Sequence, residues 1–156
     1  DSGTFIHPSL GMNFRVTDMQ SGVGLAQSEK FPQVLEKKLK NYSLYKELLK
    51  DVGDLEFLKV ENGSTFVPFR FFLKTQFKDE LSEHLESNNI QVRSFFFPMH
   101  KQPPLKEYAL ANQVFNVSEG LYNNGICLPL HAYLTSSDII YITNKVKGFF
   151  SNKECK

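Results

Sequence analysis

The sequence predicts an α+β domain: a long N-terminal helical segment leading into a small, mainly antiparallel sheet with helices packed on it. Three observations predict it. A capped helical period begins at Thr17 and resumes after Pro32, Asn62-Gly63 lies between two apolar, β-rich runs, and the following elements read strand, strand, helix, strand. A chain of 156 residues can bury one modest core without disulfide or metal staples.

Residues 1–10 carry Ser2, Gly3, Pro8 and Ser9 with no apolar period, and read as an extended entry segment. Thr17-x-x-Gln20 is a capping box that starts a helix, with Asp18 complementing its positive end and Met19, Val23 and Ala26 in helical spacing. Gly22 and Gly24 inside that helix each cost on the order of 1 kcal/mol relative to Ala. Close packing of the small-sided face against another helix or another subunit is the natural reason. Gly22-x-Gly24 is no phosphate loop, since it lies within the helix and lacks a third Gly and a preceding strand.

Pro32 is expected to interrupt or restart the helix. A second helix then carries Leu35, Leu39, Tyr42 and Leu49 on one side and a wet face of Glu36, Lys37, Lys38 and Lys40, ending at Gly53. Residues 55–60 and 66–73 read as strands joined through Asn62-Gly63, a pair suited to a type I′ turn. The second of them, FVPFRFFL, is nearly all apolar. Thr75 is expected to cap a helix bearing Phe77, Leu81 and Leu85, closed by Asn88-Asn89, and residues 90–97 form another strand. The aromatic runs Phe71-Phe72 and Phe95-Phe96-Phe97 are expected in the core. An irregular loop with Pro98, Pro103 and Pro104 follows. Residues 112–123 read as a helix broken at Gly125, Ile126 to Leu130 as a short strand, and Thr135-x-x-Asp138 as a second capping box opening the final helix. The last residues, SNKECK, are expected to fray.

Composition excludes several functions. A net charge of +1 supplies no field for nucleic acid or anionic lipid, the RNP1 pattern of RNA-binding sheets is absent, and no segment approaches the roughly 18 apolar residues of a membrane span. Cys127, in an apolar run, and Cys155, in the tail, make no disulfide framework, so a reducing, cytoplasmic setting is expected. His7, His84, His100 and His131 lack metal-ligand spacing, and no nucleophile elbow occurs. The N-x-[ST] triplets at Asn41, Asn62 and Asn116 are weak signals. Asp1, with neither an initiator Met nor a signal pattern, leads to the expectation of a processed product or a fragment.

Two polar groups remain. Asn13 and Arg15, just ahead of a helix N-terminus, suit an anion such as phosphate or carboxylate, and Arg93, His100 and Lys101 suit a second polar pocket for a substrate. On residue type alone, each fits a structural salt bridge or cap equally well.

Beyond residue types, the run Gly11-Met12-Asn13-Phe14-Arg15-Val16-Thr17-Asp18-Met19-Gln20, with Gly24-Leu25-Ala26-Gln27 and Lys30, resembles the DegT/StrS family of nucleotide-sugar aminotransferases. That family carries G-x-N-x-R-M-x-[DE]-[IM]-Q-A-A-x-G-x-x-Q. The resemblance continues through Asn89-Ile90-Gln91-Val92-Arg93, Pro98-Met99-His100-Lys101-Gln102-Pro103 and Cys127-Leu128-Pro129-Leu130-His131, covering nearly the whole chain but only the C-terminal part of the family's length.

The resemblance implies a pyridoxal 5'-phosphate enzyme of the aspartate-aminotransferase fold type I, a homodimer with its sites at the subunit interface. It would move an amino group from an amino-acid donor, usually glutamate, to a keto sugar attached to a nucleotide. It implies that Asn13 contacts the cofactor phosphate and Arg15 the anionic groups of the neighbouring subunit's site, that His100, with Lys101 beside it, faces the sugar nucleotide, and that Arg93 orients substrate. Residues 1–31 would be an interface and cofactor-side segment and 32–156 the small C-terminal domain. The S-x-x-K loop with the Schiff-base lysine, and the Gly-rich run after it, are not found. The expectation is therefore that the N-terminal cofactor domain is absent, that no catalytic residue lies in this chain, and that the chain alone is inactive. Ser21-Gly22 stands for the usual Ala-Ala, Val16 for Met and Phe97 for a frequent Tyr. The competing expectation is a standalone, non-catalytic sugar-nucleotide-binding or dimerisation module.

Overall fold

The structure, a computed structural model, describes residues 12, 14–108 and 113–154. They fall into two compact units, 1–33 and 34–156, taken separately here.

In the first unit, helix α1 (Asp18–Leu48) begins. Its N-terminus is the capping box read from the sequence: Thr17 N–H donates to Gln20 Oε1 at 3.0 Å, and Gln20 N–H donates to Thr17 Oγ1 at 3.3 Å. Pro32 lies inside α1 and does not end it. A proline removes only its own N–H donor and crowds the carbonyl four residues back, so a long helix with its remaining ladder intact carries the cost. Met19, Val23 and Leu25 are exposed, and a Cβ added at Gly22 or Gly24 would meet nothing within 4 Å. The close neighbour expected for these glycines is not among the described residues.

In the second unit, the C-terminal half of α1 turns Tyr42 and Tyr45 onto a four-stranded antiparallel sheet of order β1-β2-β4-β3. The strands are β1 (Glu56–Phe57), β2 (Phe71–Lys74), β3 (Arg93–Ser94) and β4 (Gly125–Leu128). Period-two alternation divides the two central strands. Phe71, Leu73, Ile126 and Leu128 enter one core with Tyr45, Leu49, Leu81, Leu85, Ile139 and Val146. Phe72 and Cys127, paired in register, are buried on the opposite face, where Phe72 meets Phe95 edge-on at 4.5 Å. Each such large apolar side chain, fully buried, contributes roughly 1.5–3 kcal/mol. Helices α2 (Lys78–Ser87) and α4 (Ser136–Glu154) pack against each other, and α3 (Asn116–Asn124) leads straight into β4.

Several local expectations are corrected. The strands expected over 55–60, 66–73 and 90–97 are Glu56–Phe57, Phe71–Lys74 and Arg93–Ser94, each shorter than expected and the second running one residue past its expected end. Asn62 keeps a negative φ while Gly63 takes +82°, and Ser64 N–H donates to Glu61 O at 3.1 Å, which is a type II pattern and not I′. The register Glu56↔Lys74 places the turn away from the midpoint between the paired strands, so Asn62-Gly63 bends a long loop and sets no tight hairpin. Thr75 is not the N-cap of α2; Phe77 is. The Thr75 hydroxyl accepts from Phe77 N–H at 3.1 Å and donates to Asp54 Oδ1 at 2.5 Å, so it ties the helix entry to the β1 approach. Phe96 and Phe97 are exposed at 62% and 40%, so that end of the aromatic run is not core. Residues Ser151–Glu154 stay helical because Lys153 pairs with Glu80 and lies 3.9 Å from the centroid of Phe77. Asn88-Asn89 does close α2, with Asn89 at φ +60°, and Thr135 with Asp138 does cap α4 through reciprocal bonds of 2.8 and 3.2 Å. Among the described residues no helix is long and apolar enough to cross a membrane, and no group of three metal-ligating side chains occurs.

Candidate functional site

Of the cofactor-side pair, Asn13 lies outside the described residues. Arg15 is exposed two residues before the Thr17 cap, with the Asp18 carboxylate in the first turn of α1.

The expected single pocket for Arg93, His100 and Lys101 is two places. A 3₁₀ turn, Met99–Lys101, held by Lys101 N–H donating to Pro98 O at 3.0 Å, presents two adjacent side chains to α3. His100 Nε2 lies 3.0 Å from Glu119 Oε1, and Lys101 Nζ 2.5 Å from Glu119 Oε2. One carboxylate thus clamps both. The His100 ring also lies 4.6 Å from that of Phe115. The Lys101 ammonium first, then the His100 ring, hold the Glu119 carboxyl below its ordinary value against the opposing effect of burial. A second cavity, of about 640 Å³ and mostly apolar, runs along Phe95–Met99 and the start of α3.

Arg93 lines a different cavity, of about 490 Å³, together with Lys38, Arg70, Gln91 and His131. Arg93 stands opposite Cys127 in the β3–β4 register. Arg70 approaches from the other side of β4: its guanidinium packs on the Phe69 ring at 5.0 Å and the Phe96 ring at 5.7 Å. Burial pushes the Cys127 thiol up, and the neighbouring Arg70 partly offsets that. Lys38 Nζ donates to Phe69 O at 3.3 Å, and burial draws its ammonium below the ordinary lysine value. Sequence reasoning assigned no role to Lys38, Arg70, His131 or Glu119. The one signal for Arg70 is a single guanidinium inside the otherwise apolar run FVPFRFFL. Lys38 reads as part of a solvated lysine face, and nothing in the spacing ties Glu119 to His100.

Residues 1–147 match the DegT/DnrJ/EryC1/StrS aminotransferase family. The chain belongs to that family. It is 28% identical over 151 residues to the GDP-perosamine synthase of Escherichia coli O157:H7, covering 94% of this chain and 40% of that protein. It is equally 28% identical over 158 residues to EpsN of Bacillus subtilis, whose name places it with pyridoxal phosphate-dependent aminotransferases, covering 96% of this chain and 40% of EpsN. Among solved structures, a DegT DnrJ EryC1 StrS aminotransferase from Brucella abortus superposes with a TM-score of 0.82 at 24% identity, over 96% of this chain and 40% of that one. DesV from S. venezuelae superposes with a TM-score of 0.84 at 18% identity, with the same coverage. The fold is therefore that of fold-type I sugar aminotransferases, and this DegT/StrS chain spans about 40% of the length of the relatives it matches.

Proposed function

We propose that this DegT/StrS chain is the C-terminal portion of a pyridoxal phosphate-dependent enzyme that moves an amino group from an amino acid, glutamate, to a nucleotide-linked keto sugar. The observation that carries this reading is the family match over residues 1–147, among relatives named as sugar aminotransferases. In the complete dimer, Asn13 would contact the cofactor phosphate and Arg15 the anionic groups of the neighbouring subunit's site. Arg15 precedes the first turn of a long helix and is exposed, a residue type and position that suit an anion, with Asp18 in that same turn. When bound, pyridoxal phosphate supplies the carbonyl and electron sink that amino transfer needs. The chain's own residues bind and orient substrate. His100 and Lys101, fixed in direction by Glu119, face the sugar, and Arg93 holds an anionic part of the substrate. The lysine that bonds the cofactor is supplied outside these residues.

The test supplies glutamate, pyridoxal phosphate and nucleotide-linked keto sugars to the whole family-length protein and, separately, to these 156 residues. Amino-sugar product is read by mass spectrometry. Product from the whole protein only is expected. Product from the 156 residues alone would overturn the assignment of the lysine, and no product from the whole protein with any such sugar would overturn the reading itself.

A further inference from the structure

We propose that Glu119 is a positioning residue that fixes His100 as the Nε2–H tautomer, so that the ring offers its Nδ1 lone pair to a hydroxyl of the bound keto sugar; this rests on the reading that His100 faces the sugar. The ring is held in two independent ways. Phe115 is the N-cap of α3, and Glu119 lies one turn on, its N–H donating to Phe115 O at 3.0 Å. Residues four apart on a helix share a face, so one strip of α3 meets the imidazole twice. The Phe115 ring, with its centroid 4.6 Å away and its plane inclined by 31°, sets the plane of the imidazole. The Glu119 carboxylate, 3.0 Å from Nε2, sets the direction of the ring within that plane.

Charge places the proton. The Lys101 ammonium, which donates and cannot accept, takes the second Glu119 oxygen at 2.5 Å, and Lys101 and then His100 hold the carboxyl below its ordinary value. At neutral pH Glu119 is therefore a carboxylate, which only accepts. A neutral imidazole has one N–H and one lone pair, so the nitrogen that faces the carboxylate carries the proton and the other does not. Among the described residues Nδ1 has no hydrogen-bond partner. It is not sealed off either, since the fully buried side-chain polar atoms without a partner are the hydroxyls of Tyr42 and Tyr45.

That lone pair selects its ligand. A bare ring nitrogen repels phosphate and carboxylate oxygens and accepts from an O–H, and a sugar carries O–H groups in abundance. The Phe115 ring that steadies His100 also bounds the apolar cavity of about 640 Å³ along Phe95–Met99, which brings ligand-sized space to the edge of the clamp.

The experiment labels the histidines of the whole protein with nitrogen-15 and reads the His100 ring above neutral pH, assigned through H100Q, in wild type, E119Q and the double variant E119Q/K101A. Wild type is expected to show a protonated Nε2 and a bare Nδ1. Glutamine keeps the shape of Glu119 but offers one oxygen and one NH2. The Lys101 ammonium takes the oxygen, which turns the NH2 toward Nε2 and drives the ring proton to Nδ1. E119Q should therefore invert the tautomer, and E119Q/K101A, whose amide oxygen is released to His100, should restore it. In steady-state assays E119Q should raise KM for the nucleotide-linked keto sugar about tenfold and keep kcat within about twofold. KM for glutamate, and inhibition by the matching free nucleoside diphosphate, should stay at the wild-type values. Circular dichroism checks each fold. A bare Nε2 in wild type overturns the proposal whatever the variants do. So does a folded E119Q with the wild-type tautomer or the wild-type sugar KM, or nucleoside diphosphate inhibition that weakens in step with that KM. Failure of the wild-type protein to aminate any such sugar sinks the enzymatic reading, while its tautomer, read without substrate, still decides the part played by Glu119. Amino transfer that is unchanged in E119Q sinks the positioning role alone.

Discussion

Glu119 divides its two carboxylate oxygens between His100 and Lys101, so one side chain on α3 sets the direction of both substrate-side candidates. Because Lys101 chiefly, and His100 next, hold its carboxyl below the ordinary value of 4.5, the clamp contributes stability above that value and loses it as pH falls through the lower folded-state value. Carbon-13 NMR of the Glu119 carboxyl should show a midpoint below 4.5 in the wild type and a higher one in K101A. An unchanged midpoint would remove Lys101 as the cause. Tyr45 makes a different prediction. Its ring stacks on Phe71 at 4.6 Å, but its buried hydroxyl finds no hydrogen-bond partner among the described residues. Tyr45→Phe should therefore leave stability unchanged or raise it by up to about 1 kcal/mol in urea unfolding. At this scale the sequence was half legible. Arg93, His100 and Lys101 stood in recognisable runs, but Arg70 was hidden among phenylalanines that read as core, and the His100–Glu119 contact crosses a loop whose spacing has no period.

Elements were legible where local chemistry decides them. Both capping boxes form as read, because each needs only four residues, and Thr135→Ala should cost about 1 kcal/mol in a thermal melt. Strand ends were not legible, because pairing and not propensity sets them. Phe96 has a strand-forming side chain but no ladder partner, and it stays exposed. Thr75 misled for the opposite reason: its hydroxyl is engaged by Asp54, a partner that lies far from it in sequence. The junction of α3 and β4 is tighter than any propensity shows. A Cβ on Gly125 would sit 2.2 Å from Leu121 O and 2.6 Å from the Phe72 ring, and the first of these is backbone that cannot swing aside. Gly125→Ala should destabilise by about 2–3 kcal/mol in chemical denaturation, and a loss near zero would mean that α3 can shift along the sheet.

For the molecule as a whole, the two glycines of α1 separate intrinsic stability from assembly. Among the described residues nothing lies within 4 Å of a Cβ at either position, so Gly22→Ala and Gly24→Ala should each strengthen the isolated helix by roughly 1 kcal/mol. If the proposed dimer packs on that small-sided face, the same changes should weaken self-association in sedimentation equilibrium; an unchanged dimer would place the interface elsewhere. The α+β class was readable from the order of elements, whereas the strand order β1-β2-β4-β3 was not, since no local signal says that the last strand inserts beside the second. That insertion has a consequence for synthesis on the ribosome. Phe71, Phe72 and Leu73 emerge before the strand that covers one of their edges, Gly125–Leu128, which is made only after α2, β3 and α3. The nascent domain therefore carries a phenylalanine-rich, unpaired edge through much of its translation, so its folding is expected to be slow, dominated by distant contacts, and dependent on chaperones that shield that edge until the fourth strand arrives.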